Sequence, residues 1–302
     1  QKNNIPTSKF KICDSLDETI HHLKDIHFPI VIKADGLASG KGVYICKNFD
    51  EAKIASKEIF NGKFGPANQI LVEEFLDGEE MSYFIVTDGK SYKFFGSAQD
   101  HKRVGEGDTG KNTGGMGCYS PSRLLSKDLE LKIKTKIIEP TLNAINECGG
   151  VYKGFLYIGL MIKNNDPFLI EFNVRMGDPE CQTILPTLSS DLLNILISCC
   201  DGTLNQTNIN FSRSKSICVV LCSKGYPDKF ENNIEIKNLE KLKLLENQNI
   251  FHAGTLKTET NIVSNGGRVL NFVSTSDDFS KCREEAIDLI KKLNWENGFF
   301  RR

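Results

Sequence analysis

The chain has 302 residues, 39% hydrophobic and 25% charged, with a net charge of −1 at pH 7. That length and composition supply the apolar material of about two globular domains. The balanced charge gives no basic field for nucleic acid, and no apolar run approaches the roughly 20 residues of a membrane span, so neither is an expected partner.

Residues 1–7, Gln-Lys-Asn-Asn-Ile-Pro-Thr, carry no apolar signal core and no initiator Met, which suggests a piece excised from something longer. The ten cysteines are scattered without a C-x-x-C spacing. They read as small buried hydrophobes in a reducing, cytoplasmic compartment rather than as a disulfide framework or a zinc site.

In chain order, Ser15-Leu16-Asp17-Glu18 is a capping box that opens a helix. Pro29–Ala34 and Val43–Cys46 read as strands around the glycine-rich loop Asp35-Gly36-Leu37-Ala38-Ser39-Gly40-Lys41-Gly42. The loop is no P-loop. Three residues rather than four separate Gly36 from Gly40, Gly42 stands where Ser or Thr is needed, and a strand follows instead of a helix. It reads better as a hairpin flap whose backbone N–H groups cover phosphates, with Lys33 and Lys41 adding charge. An ordinary hairpin with solvated lysines is the bland alternative.

Asn48-Phe49-Asp50-Glu51 starts a second helix with Ala52, Ala55 and Ile59 inward. Ile70–Leu76 is a strand, and Glu79–Val86 returns after the Asp77-Gly78 turn. Glu73, Glu74, Phe75 and Leu76 can offer backbone groups and an apolar wall to an adenine, and Glu80 can accept from ribose hydroxyls. A plain meander fits these residues as well. Six glycines fall between 105 and 117, just after His101, Lys102 and Arg103. That density reads as an anion-binding loop that orders on binding.

Ser126 to about Cys148 predicts one long helix bent at Pro140. Gly154–Ile162 predicts a buried strand, followed by an Asn164-Asn165-Asp166 turn. In the next strand Ile170, Phe172 and Val174 form one apolar face, and Glu171, Asn173 and Arg175 share the other. A carboxylate and a carboxamide suit a hard cation such as Mg²⁺, and a guanidinium forks onto phosphoryl oxygens. Gly177-Asp178-Pro179-Glu180 then turns two more carboxylates toward the same spot. Thr183–Cys200 predicts an apolar helix ending at Gly202. Composition shifts over 205–216, the expected domain boundary. A strand at Ser216–Cys222, a surface stretch at Glu231–Ile250, a hairpin between 251 and 270, and an amphipathic helix at Ser280–Leu293 complete the chain. No internal repeat is present.

Taken together, the segments Lys33–Val43, Glu73–Glu80, Gln99–Pro121 and Ile170–Gln182, extended by His252–Thr255 and Asn265–Leu270, resemble the glycinamide ribonucleotide synthetases. These are ATP-grasp enzymes of purine biosynthesis. The resemblance implies an α+β fold: an ATP-grasp unit over 1–212, whose two α+β subdomains clasp ATP, with the flap subdomain at about 28–96. A small mixed α/β carboxy-terminal domain then occupies 213–302. It implies a ligase that joins glycine to 5-phosphoribosylamine through a glycyl phosphate, with ATP and Mg²⁺, or Mn²⁺ in its place. Lys33, Gly40, Lys41, Gly42, Glu73, Glu74, Phe75, Leu76 and Glu80 would hold ATP, and Glu171 and Asn173 the metal. Arg175, Lys41 and Asp178 would act in catalysis, with Asp178 at the glycine ammonium. Asp100, Lys102, Gly114, Gly115, Asp178 and Arg268 would line the substrate site. Val151–Asn165 holds no acid, so the second metal-binding acid of many ATP-grasp strands is missing. The family's amino-terminal domain, with its own phosphate loop, is the expected partner within the same polypeptide. Two other readings remain: another ATP-grasp ligase of purine metabolism, and a nucleotide-binding fragment inactive without that domain.

Overall fold

The computed structural model describes residues 2–36 and 42–302. Its small sheet comes first, from β1 (Phe10–Cys13), α1 (Leu16–Leu23), β2 (Ile30–Ala34), β3 (Val43–Cys46), α2 (Phe49–Phe60) and β4 (Ile70–Glu74). The strands lie antiparallel in the order β1-β4-β2-β3. Alternation decides what each face does. Ile30, Ile32, Ile70 and Val72 point at Leu23, Ala52, Ala55 and Ile59 of the two helices. Val31, Lys33 and Glu73, one residue out of phase, face the other way into a cleft. Each buried isoleucine contributes about 1.5–3 kcal/mol to holding that register. Both helices start on side-chain caps: Glu18 N donates to Ser15 Oγ (3.1 Å) and Glu51 N to Asn48 Oδ1 (2.9 Å).

The rest of the chain builds a large sheet. Its elements are β5 (Glu79–Thr87), β6 (Tyr92–Asp100), β7 (Arg103–Gly105), β8 (Thr109–Asn112), β9 (Gly117–Ser120), α3 (Lys127–Ile133), α4 (Glu139–Glu147), β10 (Gly154–Lys163), β11 (Asp166–Asn173), α5 (Glu180–Ile184) and α6 (Leu192–Asp201). After them come β12 (Lys215–Ser223), β13 (Gln248–His252), β14 (Thr255–Lys257), β15 (Ile262–Ser264), β16 (Arg268–Ser276), α7 (Phe279–Leu293) and β17 (Gly298–Phe299). The order is β11-β10-β5-β6-β9-β12-β16-β13, with β17 added on β12. β9 pairs with both β6 and β12, so the sheet runs unbroken across residue 213, where the carboxy-terminal unit was expected to begin.

Several expectations meet a different structure. The small sheet takes in residues 10–74 rather than 28–96. The run Met81–Thr87 is buried on both faces and belongs in the middle of a large sheet, so β5 and β6 pair there. The helix expected over 126–148 is interrupted by a π-turn at Lys134–Ile138, because Pro140 has no N–H to return to residue 136. The helix expected over 183–200 breaks: α5 tightens into a 3₁₀ turn at Leu185–Thr187 around Pro186, and Asp191 caps α6 afresh. The glycine-rich loop after His101 is a β7–β8 hairpin. In β11 a bulge opposite Gly159/Leu160 breaks the alternation, so Phe172 packs into the core while Ile170 lines the cleft. Val174 lies beyond the strand and is 75% exposed.

The segment before β1 touches both sheets. Leu169 N of β11 donates to Pro6 O (2.8 Å), Thr7 Oγ1 to Leu169 O (2.8 Å), and Glu74 N of β4 to Lys9 O (2.9 Å). All ten cysteines are free thiols. No helix among the described residues is long and apolar enough to cross a membrane.

Candidate active site

A cleft of about 560 Å³ lies between the two sheets. Val31, Val43 and Ile45 from the small sheet form an apolar roof, and Met161, Leu169 and Ile170 from the large sheet form the floor. Phe75 and Leu76, on the connection from β4 to β5, close one side. Polar groups gather in two places on this apolar slot, the usual build of a small-molecule site.

The first lies along the cleft walls. Lys33 Nζ meets Glu73 Oε2 at 2.7 Å, and Ser8 Oγ donates to the same oxygen at 3.1 Å. Lys102 Nζ meets Glu80 Oε2 at 2.7 Å. Desolvation works against the Lys102 ammonium, but Glu80, Tyr157 and Asp100 outweigh it and hold its pKa above the ordinary lysine value. Both lysines therefore stay cationic and face the slot. Nearby His101 is kept mostly neutral, first by burial and then by the charge of Arg301.

The second group adjoins the first through a small recess lined by Glu80, Ser82, Asp100, Lys102, Tyr157 and Glu171. Glu180, at the start of α5, is 4% exposed and accepts from Ser82 Oγ at 2.9 Å. Burial raises its pKa, and burial followed by the charge of Glu180 raises that of Asp100 further. The backbone leaves room for these carboxylates only through glycine. Gly115 has φ +113°, and a Cβ there would lie 2.6 Å from Pro179 Cδ and 2.7 Å from Asp100 Oδ1. A Cβ on Gly177 would collide with the Glu180 carboxylate.

Arg268, at the start of β16, ties this corner together. Its Nη1 donates to Gly114 O (2.6 Å) and Asp178 O (2.8 Å), and its Nη2 meets Asp178 Oδ2 at 3.1 Å. Gly114 N donates to Tyr226 Oη at 2.9 Å. Gln182 Nε2 donates to Asp178 Oδ1 at 2.9 Å, so both oxygens of Asp178 are engaged within the protein. The β7–β8 hairpin is held from the same direction by Lys111–Asp228 (2.7 Å) and by Arg301 on Asp108 (3.0 Å).

The structure thus brings Lys33, Glu73, Glu74, Phe75, Leu76, Glu80, Asp100 and Lys102 to one cleft, and Gly114, Gly115, Asp178 and Arg268 to its neighbouring corner. Gly42 stays beside the small sheet, its carbonyl accepting from Ala34 N at 2.9 Å, while Gly40 and Lys41 lie outside the described residues. Glu171 and Asn173 share a face, with Asn173 Nδ2 3.3 Å from Glu171 Oε1. Among the described residues no three His, Cys, Asp or Glu side chains converge as a metal cage. A pair of hard oxygen donors suits Mg²⁺, which keeps water and substrate oxygens in its shell. Arg175 is exposed, its Nη1 on Met176 O (2.8 Å), and does not line the cleft. Sequence reasoning left out Ser8, Ser82, Tyr157 and Glu180 as site residues. Only Glu180 carried a local signal, its place in the Gly177–Glu180 turn. The other three reach the site by tertiary packing alone.

Residues 1–181 match the family described as phosphoribosylglycinamide synthetase, ATP-grasp (A) domain, and residues 216–302 match its C domain. The phosphoribosylamine–glycine ligase, chloroplastic, of Arabidopsis thaliana is 45% identical over 99% of this chain, which spans 58% of that protein. The phosphoribosylamine–glycine ligase of Brucella melitensis is 41% identical over 99% of the chain, which spans 70% of it. The crystal structure of phosphoribosylamine–glycine ligase from Thermotoga maritima superposes with a TM-score of 0.90 at 34% identity, covering all of this chain and 75% of that one. A biotin carboxylase domain from Hydrogenobacter thermophilus, in complex with MgADP, shares the fold at a TM-score of 0.71 and 17% identity. The fold is the α+β ATP-grasp fold, and the chain belongs to the phosphoribosylglycinamide synthetase family.

Proposed function

We propose that this chain carries the catalytic portion of an ATP-dependent ligase that joins glycine to 5-phosphoribosylamine, giving glycinamide ribonucleotide, ADP and phosphate. The observation that carries the reading is one cleft in which two lysines face an apolar slot and a recess connects them to Glu171. The adenine lies between Val31, Ile45 and Met161. The phosphates run beneath the 36–42 flap toward Lys33 and Lys102, whose charges neutralise them. Glu171 and Asn173 hold Mg²⁺, which supplies further neutralisation of phosphate charge when bound. The glycine carboxylate attacks the terminal phosphorus. The resulting glycyl phosphate turns a poor leaving oxygen into a good one, and the amine of phosphoribosylamine displaces phosphate from it. The walls of the cleft exclude water that would otherwise hydrolyse this intermediate.

The relatives are longer than this chain. A further domain of the same polypeptide is the partner that the reading calls for, since the corner at Arg268 is open to solvent on one side of Asp178. The test is the ratio of glycinamide ribonucleotide formed to ADP released, with ATP, glycine and phosphoribosylamine supplied. We expect glycine-dependent ADP release from the chain alone, and a ratio near unity once the rest of the polypeptide is joined to it. ADP release indifferent to glycine in both forms would refute the reading.

A further inference from the structure

Resting on the glycine-ligase reading, we infer that Asp100, rather than Asp178, is the residue that takes the glycine ammonium. Asp178 is spent: Arg268 and Gln182 occupy its two oxygens. Asp100 is the opposite. Among the described residues no hydrogen bond reaches either of its oxygens, and Oδ1 is closed off from water without any donor. A carboxylate left in that condition is costly unless a ligand completes it. The residue nevertheless lines both the cleft and the recess next to Glu171.

The charges around it leave a cation unaccounted for. Glu80 has Lys102 and Asp178 has Arg268, whereas Asp100 and Glu180 face each other with neither cation in direct contact. A second acceptor lies close to the same turn. Gln182 Oε1 is buried and without a donor, while its Nε2 is fixed on Asp178. Unfilled acceptors around a surplus of negative charge call for a compact donor-rich cation.

Of the two amines in the reaction, only one fits. The amine of phosphoribosylamine must be unprotonated to attack. The amine of glycine is a spectator and is best held as ammonium, which also prevents glycine from attacking its own acyl phosphate. A permanent positive charge belongs to glycine, so the undonated carboxylate is its subsite. Gly115 is part of the same device, because any side chain there would press on Asp100 Oδ1.

The experiment uses the chain joined to the rest of its polypeptide, with glycolate, which replaces the ammonium by a hydroxyl, as the probe. Losing a charge-assisted hydrogen bond in a desolvated site is worth about tenfold or more in binding. Asp100→Asn should raise the KM for glycine by at least about tenfold and leave the KM for ATP within about twofold. The preference for glycine over glycolate in kcat/KM should fall by a similar factor. Asp178→Asn should leave that preference unchanged. A preference unaltered by Asp100→Asn overturns the inference, as does a rise in the KM for phosphoribosylamine alone. If Asp100→Asn does not fold, the unsubstituted enzyme still decides: comparable use of glycine and glycolate overturns the assignment. Absence of glycine-dependent ADP release in the unsubstituted enzyme is a different failure, because it removes the ligase reading itself.

Discussion

Two pairs of carboxylates share one cleft and are treated in opposite ways. Glu73 and Glu80 each meet a lysine at 2.7 Å, and those lysines point at the slot. Asp100 and Glu180 meet no lysine, and burial pushes both above the ordinary carboxylate range. A paired carboxylate keeps a cation in place for an anionic ligand, such as a string of phosphates. An unpaired one is unfavourable until a cationic ligand arrives. The difference between the two halves of the site thus lies in which charge is left unfilled, and it assigns each half a ligand of opposite sign.

The strongest way to disturb both halves is at the strand between them. Glu171→Gln should lower glycine-dependent ADP release by at least about a hundredfold, because the metal position serves phosphate and glycine alike. As an exposed residue it should change unfolding free energy by no more than about 0.5 kcal/mol. Parallel losses in stability and rate would return the strand to a purely structural role. Lys33→Met should act on the paired half only: apparent affinity for ATP falls about tenfold while the KM for glycine holds. It also strands a largely buried Glu73 with Ser8 as its remaining donor, at a cost of about 1–3 kcal/mol. A glycine KM that moves as much as that of ATP would erase the boundary between the halves.

Gly115→Ala tests the unpaired half through the backbone. With φ at +113° and Asp100 in the way, it should cost about 1–2 kcal/mol and raise the KM for glycine several-fold. A melting temperature and a glycine KM both unchanged would mean that the loop is not seated on Asp100. The smallest effect concerns stability and pH. An acid whose folded pKa is raised favours the native state only in its protonated form. Its charge therefore costs stability above the folded pKa, and the cost fades as pH falls to the unfolded value of about 3.9. Asp100→Asn removes that cost, so the substitution that harms glycine use should raise the melting temperature by a degree or more at about pH 8. The gain should shrink toward about pH 4. A gain that grows on acidification would reverse the sign of the burial effect.

The paired half was largely legible in the sequence, and the unpaired half was not. Lys33 and Glu73 lie in strands whose period-2 pattern puts them opposite Ile32 and Val72, so their facing follows from local alternation. The capping boxes at Ser15 and Asn48 likewise act over three residues. The corner around Asp100 depends on contacts that no local pattern encodes. Arg268 reaches Asp178 across 90 residues and Gly114 across 154, and Ser82 reaches Glu180 across 98. Period alone also fails in β11, where the bulge at Gly159/Leu160 turns Ile170 into the cleft. Composition distinguished a glycine-rich segment from its surroundings but not a hairpin from a loop, because pairing of β7 with β8 is decided by where the carboxy-terminal residues grip it.

The segment that reaches both sheets has a mechanical consequence. Pro6 and Thr7 are fixed to Leu169 on one side, and Lys9 is fixed to Glu74 on the other, with only Ser8 between the anchors. One free residue allows two backbone torsions and almost no extension. The small sheet can therefore swing over the large one but cannot lift away from it, and the axis of that swing passes beside Ser8. Residues near this pivot hardly travel, whereas the flap at 36–42, far out on the lever, sweeps the widest arc. The Glu73 oxygen that holds Lys33 also accepts from Ser8, so the pivot and the first cation of the site are bolted together at one atom. Admission of nucleotide then requires no rearrangement of the charges that receive it, only rotation of the roof above them.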